Sequence, residues 1–248
     1  MKLYENVVIG NFLYGLGFSV RGCLQGRPTF PSMINQLQQT PVDKELADVL
    51  LNFPGLVRLI EFKRKGADLK KELRRHRLLR EALSTEVNAH LHSVSRRVHW
   101  YVEVSGKITD VPLVRRAEPY LDAIGSTAAD TATGSFEQLI EQTAQEAVGD
   151  MSPAARVLAE RYIRLLRTTF GNDSASAGGL MLVMSGGGAM RFARLQDLSD
   201  LNLPDRQWQE RALQENELAL APHTPEQTRV RRMERTIERD RDGPDRSM

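Results

Sequence analysis

The chain has 248 residues, of which 41% are hydrophobic, 27% charged and 6% aromatic. This is a globular composition that excludes wholesale disorder and collagen-like or low-complexity classes. The 34 basic and 32 acidic side chains leave a net charge of +2, too little to indicate nucleic acid by itself. A single cysteine, Cys23, excludes an internal disulfide framework and points to a reducing, cytoplasmic compartment. No window approaches 18 apolar residues, so no membrane span is expected.

Val8, Ile9, Phe12, Leu13 and Leu16 fall at helical intervals and predict a packed helix ending at Gly15 or Gly17. A loop marked by Gly22, Gly26, Pro28 and Pro31 follows, with room for a short strand over 18–24. Apolar runs at 45–51 and 56–63 flank Asn52, Phe53, Pro54 and Gly55, which predicts a hairpin. Leu69, Leu73, Leu79, Leu83, Val87, Leu91 and Val94 then predict one long amphipathic helix over 68–97. A strand over 98–104 follows it. Residues 124–135 read as a loop.

Ser135, and Ser152 followed by Pro153, are helix-start signals, with helices predicted over 136–148 and 153–170. Strand-like arms at 180–184 and 189–195 surround a glycine turn. They fit either a hairpin at a sheet edge or a dimer contact. A last helix is expected over 207–220. Residues 223–248, with seven arginines and six acids, read as a flexible charged tail or marginal helix. The division expected is a core over 1–122, a helical and hairpin extension over 123–222, and the tail.

The acid hairpin carries the chemistry. With residues 52–55 closing it, Leu51 faces Leu56 and Asp48 faces Leu59. Opposed residues share a face and strands repeat every two residues, so Asp48, Glu61 and Lys63 lie on one face. The flanking residues are apolar on both sides, so the strands are expected to be covered on both sides. Carboxylates there are costly unless paired or metal-bound. Two hard oxygen ligands and a backbone carbonyl suit a magnesium ion that keeps several waters.

Asp48, followed after twelve residues by Glu61-Phe62-Lys63, resembles the PD-(D/E)XK signature of the restriction-endonuclease-like nucleases. The order helix, acid-bearing hairpin, long helix, strand is similar to that family's core over about residues 1–105. The resemblance implies an α/β fold with a restriction-endonuclease-like core. It implies that Asp48, Glu61 and the Phe62 backbone carbonyl hold Mg²⁺ (Mn²⁺ as a substitute), and that Lys63 assists hydrolysis. Glu5 matches the glutamate that many members carry on the first helix. The family's proline before the aspartate is Ala47 here.

Residues 58–80 hold ten lysines and arginines against three acids, a local balance of +7 in a chain whose remainder sums to −5. Such a segment is an electrostatic footprint for phosphates. Lys65, Lys70, Lys71, Arg74, Arg75 and Arg77 are the expected contacts to the nucleic-acid backbone.

His90, His92 and His99 lack zinc-ligand spacing, and Gly186 to Gly188 lack the Lys-Ser/Thr of a phosphate loop. The function expected is metal-dependent phosphodiester hydrolysis, in DNA ahead of RNA, in a restriction or phage-defence setting. The rival is a nucleic-acid-binding or assembly module without turnover. A protein partner or homodimer is compatible with either.

Overall fold

A computed structural model describes residues 4–24, 29–37, 47–105, 114–124, 135–170, 179–185, 189–195, 200 and 202–220. Its first helix, α1 (Glu5–Cys23), buries Val8, Ile9, Phe12, Leu16 and Val20. The predicted stop at Gly15 or Gly17 is overridden, and the strand allowed over 18–24 is helix as far as Cys23. The apolar stripe continues through Leu16 and Val20, and their burial outweighs the roughly 1 kcal/mol that each interior glycine costs.

The loop expected around Pro31 holds strand β1 (Thr29–Gln36). Pro31 pairs with only one neighbouring strand, because β1's second partner is engaged from Met33 onward. A residue without an N–H is tolerated in such a place. The acid hairpin is β2 (Val49–Phe53) and β3 (Leu56–Arg64). Its turn is Pro54-Gly55, two residues rather than four. Phe53 faces Leu56, and Leu50 faces Leu59. Each partner is therefore displaced by two residues from the expected register. Two is one full period of a strand, so every side chain keeps its predicted face.

Gly66 takes a left-handed conformation, φ 76°, and turns the chain out of β3 into α2 (Lys70–Leu83). The single long helix expected over 68–97 is broken after Leu83. There the Ser84, Thr85 and Asn88 side chains bond nearby helix carbonyls and compete with its continuation. A 3₁₀ turn (Ala89–Leu91) and α3 (His92–Val98) lead into β4 (His99–Val104), which runs parallel to β3. Strand β5 (Val114–Pro119) and the short α4 (Tyr120–Ala123) have no apolar pattern to announce them.

Helices α5 (Phe136–Val148) and α6 (Pro153–Phe170) begin at the predicted serines. Ser135 forms a complete capping box with Gln138. The arms are β6 (Gly179–Ser185) and β7 (Met190–Leu195), followed by α7 (Asp205–Leu220).

Among the described residues these strands make one mixed seven-stranded sheet, β5-β4-β3-β2-β1-β6-β7. The arms extend its edge through β1. Both faces are covered, as expected. Val49, Leu51, Ile60 and Phe62 pack under α1 and α5, while Leu50, Val57 and Leu59 pack under α2, α3, α4, α6 and α7. The segment expected as an extension thus supplies helices to both layers and two strands to the sheet. The tail over 223–248 lies outside the described residues. Among them, no helix is long and apolar enough to cross a membrane.

The Pro54-Gly55 turn is clamped from outside. Gly55 N donates to Ala147 O at 3.1 Å, and Met151 N to Pro54 O at 3.0 Å. A Cβ at Gly55 would lie 2.1 Å from the Glu146 carbonyl oxygen. Gly55→Ala is expected to lower the unfolding free energy by roughly 1–3 kcal/mol, since the obstruction is backbone. Urea denaturation against wild type measures it.

Candidate active site on the acid-bearing hairpin

The β2–β3 ladder ends at Val49 and Ile60, one residue before each acid. Asp48 N donates to Ile60 O at 3.1 Å, and Asp48 O accepts from Leu37 N at 2.9 Å. The Asp48 carboxylate Oδ2 accepts from Phe62 N at 2.6 Å. Asp48 and Glu61 are 7% and 3% exposed, so burial holds both acids near a core.

Two further residues complete the cluster. Glu72 and Arg75, on the inner face of α2, are 1% and 3% exposed. Lys63 Nζ is ion-paired to Glu61 Oε1 and lies 3.7 Å from Glu72 Oε1. Arg75 Nη1 lies 3.4 Å from Glu61 Oε2 and 3.1 Å from Glu72 Oε2. Each cation therefore bridges the same two glutamates. The Tyr120 hydroxyl donates to Glu72 Oε2 at 2.8 Å. Tyr120 in turn stacks on His99, with ring centres 4.2 Å apart, and His99 Nδ1 meets the Tyr162 hydroxyl at 3.1 Å.

The charges do not balance. Asp48, Glu61 and Glu72 would carry three negatives against the two positives of Lys63 and Arg75. Glu61 takes the consequence: burial first, then the Asp48 charge, pushes its carboxyl up to about 8 against the attraction of Lys63 and Arg75. Burial alone would lower Lys63, but Glu61 and Asp48 outweigh it and hold the ammonium above its usual range. Burial would likewise raise Glu72, but Arg75 and Lys63 overcome it and keep that carboxyl below its usual range. Buried His99 is held neutral, its pKa pulled well down by burial and then by Arg75.

The hairpin thus brings Asp48, Glu61 and Lys63 together. Glu5 sits elsewhere, its carboxylate accepting from Arg64 N at 2.9 Å at the end of β3, on the α1 side of the sheet. Lys65, Lys70, Lys71, Arg74 and Arg77 are exposed, whereas Arg75, expected among the phosphate contacts, is turned inward. Among the described residues no group of three or more histidines, cysteines or acids is placed to hold a metal ion. What the hairpin offers is a pair of hard carboxylates.

Glu72 and Tyr120 were not legible as site residues. The apolar spacing suggests that Leu69 and Leu73 begin the buried stripe of α2, yet Leu73 is 51% exposed. The true inner stripe is Glu72, Arg75, His76, Leu79 and Leu83. Its signal was a charged start to a stripe whose continuation is leucine.

No protein-family model matches the chain, and no curated protein or solved structure matches it.

The raised Glu61 carboxyl fixes the sign of a pH effect. An acid whose folded pKa lies above its unfolded value, near 4.5, contributes stability that is complete below the unfolded pKa and is lost as pH rises through the folded one. In metal-free buffer, the stability of wild type relative to Glu61→Gln is expected to fall between pH 4.5 and about 8. Denaturation curves of both proteins across that range measure it. A difference that stays flat would contradict the electrostatics described.

Proposed function

We propose that the chain is a magnesium-dependent nuclease with a restriction-endonuclease-like core, hydrolysing phosphodiester bonds in DNA. The observation that carries this reading is the convergence of Asp48, Glu61 and Lys63, buried or half-buried, at one end of one hairpin. The element order supports it: α1, the acid hairpin, α2, and a strand β4 parallel to β3.

In this reading Asp48, Glu61 and the Phe62 carbonyl would hold Mg²⁺, or Mn²⁺ in its place, with water completing the shell. The donor chemistry fits, because Glu61 is the group whose negative charge the fold tolerates least without a further cation. When bound, the ion supplies a polarised phosphoryl oxygen and an activated water. Lys63 is kept as an ammonium by the carboxylates around it. It therefore acts as a hydrogen-bond donor and positive charge for the phosphate rather than as a base. Tyr120 and Arg75 fix Glu72, and Glu72 with Glu61 fixes Lys63. Glu5 steadies the backbone beyond Lys63 through Arg64 N.

Lys65 in the turn after β3, and Lys70, Lys71, Arg74 and Arg77 on α2, hold phosphates without reading bases. Sequence preference is accordingly low. A cytoplasmic restriction or phage-defence role belongs to this proposal by family analogy alone.

One observation favours a second reading, a nucleic-acid-binding or assembly module without turnover: both Glu61 oxygens already face cations of the chain itself, Lys63 and Arg75.

The deciding experiment is cleavage of plasmid, single-stranded DNA and RNA with Mg²⁺ or Mn²⁺. Cleavage of the DNA substrates that EDTA stops is expected. Lys63→Ala should lower the rate by roughly a hundredfold or more, and Glu61→Ala should abolish it. Salt-sensitive binding with no cleavage under any metal would select the module instead.

A further inference from the structure

Strand β6 is apolar at every position over 180–184, a pattern that calls for cover on both faces. It is covered on one. Met181 and Val183, with Ala193 of β7, are buried in one cluster with Trp208 and Ala212 of α7. Side chains alternate along a strand. Leu180, Leu182 and Met184, with Met190 and Phe192 of β7 and Ile34 of β1, therefore project to the other face. That is the face which α1 and α5 cover farther along the sheet. Among the described residues nothing closes over this wing: Leu180, Met190 and Phe192 are 51%, 62% and 52% exposed. The wing adjoins α1, because Phe30 of β1 and Met184 of β6 belong to the cluster that holds Val20 and Leu24 at that helix's end.

The outer face of α1 carries a second uncovered surface. Tyr4, Val7, Asn11, Tyr14 and Phe18 follow one another in steps of three and four, the spacing of a single helix face that meets a partner. Tyr14 and Phe18 are 79% and 78% exposed. Every exposed position over 6–18 is Asn, Val, Gly, Tyr or Phe, and none is charged, whereas a helix face turned to water is normally charged or polar. The Asn11 amide donates to Val7 O at 2.8 Å, so it keeps a partner when covered. Gly15 answers to packing inside the molecule, since a Cβ there would lie 2.9 Å from Ile140 Cδ1. At Gly10 and Gly17 a Cβ would meet nothing within 4 Å, although glycine weakens a helix interior. These two leave bare backbone beside the aromatic stripe, where another surface can come close.

The two surfaces lie side by side on one side of the sheet. Helix α1 stands above the sheet by one helix layer, about 10–12 Å, and the wing beside it is lower by that step. Such a step is complementary to itself. A two-fold axis along its edge sets the α1 of each copy on the wing of the other, an isologous arrangement. A second copy thus accounts for both surfaces at once. With aromatic side chains taken at roughly 150–250 Å² each, the two surfaces expose on the order of 900 Å² per copy, about 1,800 Å² per dimer, against roughly 1,200–2,000 Å² for stable, specific interfaces.

We propose that the chain forms a two-fold homodimer in which the outer face of each α1 covers the bare β1-β6-β7 wing of the other copy. The acid cluster lies on the opposite face of the sheet, with α2, so the interface excludes it and the proposal does not depend on nuclease activity.

The test is sedimentation velocity of the full chain at roughly 1–100 μM, since interfaces of this area hold at micromolar concentration or below. A dimer is expected. Tyr14→Lys on the helix face and Phe192→Glu on the wing alter side chains that are exposed in the single copy. Each alone should raise the dissociation constant at least about tenfold. Tyr14→Ser and Phe192→Ser should act in the same direction with a smaller shift, and circular dichroism checks the fold of all four. Mixing Tyr14→Lys with Phe192→Glu should give a heterodimer at least about tenfold tighter than either variant's homodimer. One of its two contacts is wholly wild type, and the other opposes the two introduced charges. A dimer that the helix-face or the wing variants leave intact, or a mixture without a heterodimer, would overturn the proposal. So would a wild type that stays monomeric across the range; if it then floated with phosphatidylcholine vesicles, both faces would belong to a membrane surface instead.

Discussion

The register of the β2–β3 hairpin is the constraint on which the candidate site depends. A slip of one residue would send Glu61 and Lys63 to the face covered by α1 and α5, in the places now held by Ile60 and Phe62, and take both charges away from their partners. The turn that prevents this slip is held by residues nearly a hundred positions later: Ala147 at the end of α5, and Met151 and Arg156 at the start of α6. The second half of the chain thus fixes the geometry of the first. A division of the molecule into core and extension does not describe how the acids are kept in place.

The cluster around Glu61 is not an economical way to stabilise a fold. Buried ion pairs recover their desolvation cost only with good geometry and full hydrogen bonding, and apolar residues of similar volume often do as well or better. Here three carboxylates meet two cations, and the excess falls on Glu61. Perturbed, partly compensated groups of this kind concentrate at functional sites. Tyr120, held between Glu72 and the ring of His99, ties the cluster to α6 through Tyr162. The lysine therefore sits in a framework that runs from α2 through α4 to α6.

Much of this was legible in the sequence, for identifiable reasons. The faces of Asp48, Glu61 and Lys63 follow from period two alone, and they survived a misjudged turn because the displacement was a full period. Ser135 and Ser152 announced α5 and α6 because capping is local chemistry. Strand β1 was hidden because Pro31 is a breaker by propensity, and only its one-sided pairing, a tertiary fact, makes it acceptable. The break after Leu83 was hidden because leucines and valines keep nearly helical spacing across it, while the Ser84, Thr85 and Asn88 side chains that end the helix interrupt nothing in the apolar pattern. Strand β5 was hidden because arginines at 115 and 116 replace the alternation that a strand usually shows.

The basic segment shows where composition stops being informative. A balance of +7 over residues 58–80 suggests one phosphate-binding surface, yet the fold divides it. Arg58 is drawn to Glu146 on one face of the sheet, while Lys63 and Arg75 are drawn to Glu61 and Glu72 on the other. Helical geometry makes the division inside α2: Glu72, Arg75 and His76 share the buried stripe, so Lys70, Lys71, Arg74 and Arg77 turn outward. Their pairs with neighbours, Lys70 with Asp68 at 3.5 Å and Arg77 with Glu81 at 3.9 Å, are exposed and weak in salt, so a phosphate can compete for them. Arg75 cannot be recruited in that way without uncovering the buried carboxylates of Glu61 and Glu72. On the proposed reading, one stretch of sequence thus serves two purposes: its inner cations shape the acid cluster and its outer ones present the backbone of the substrate to it.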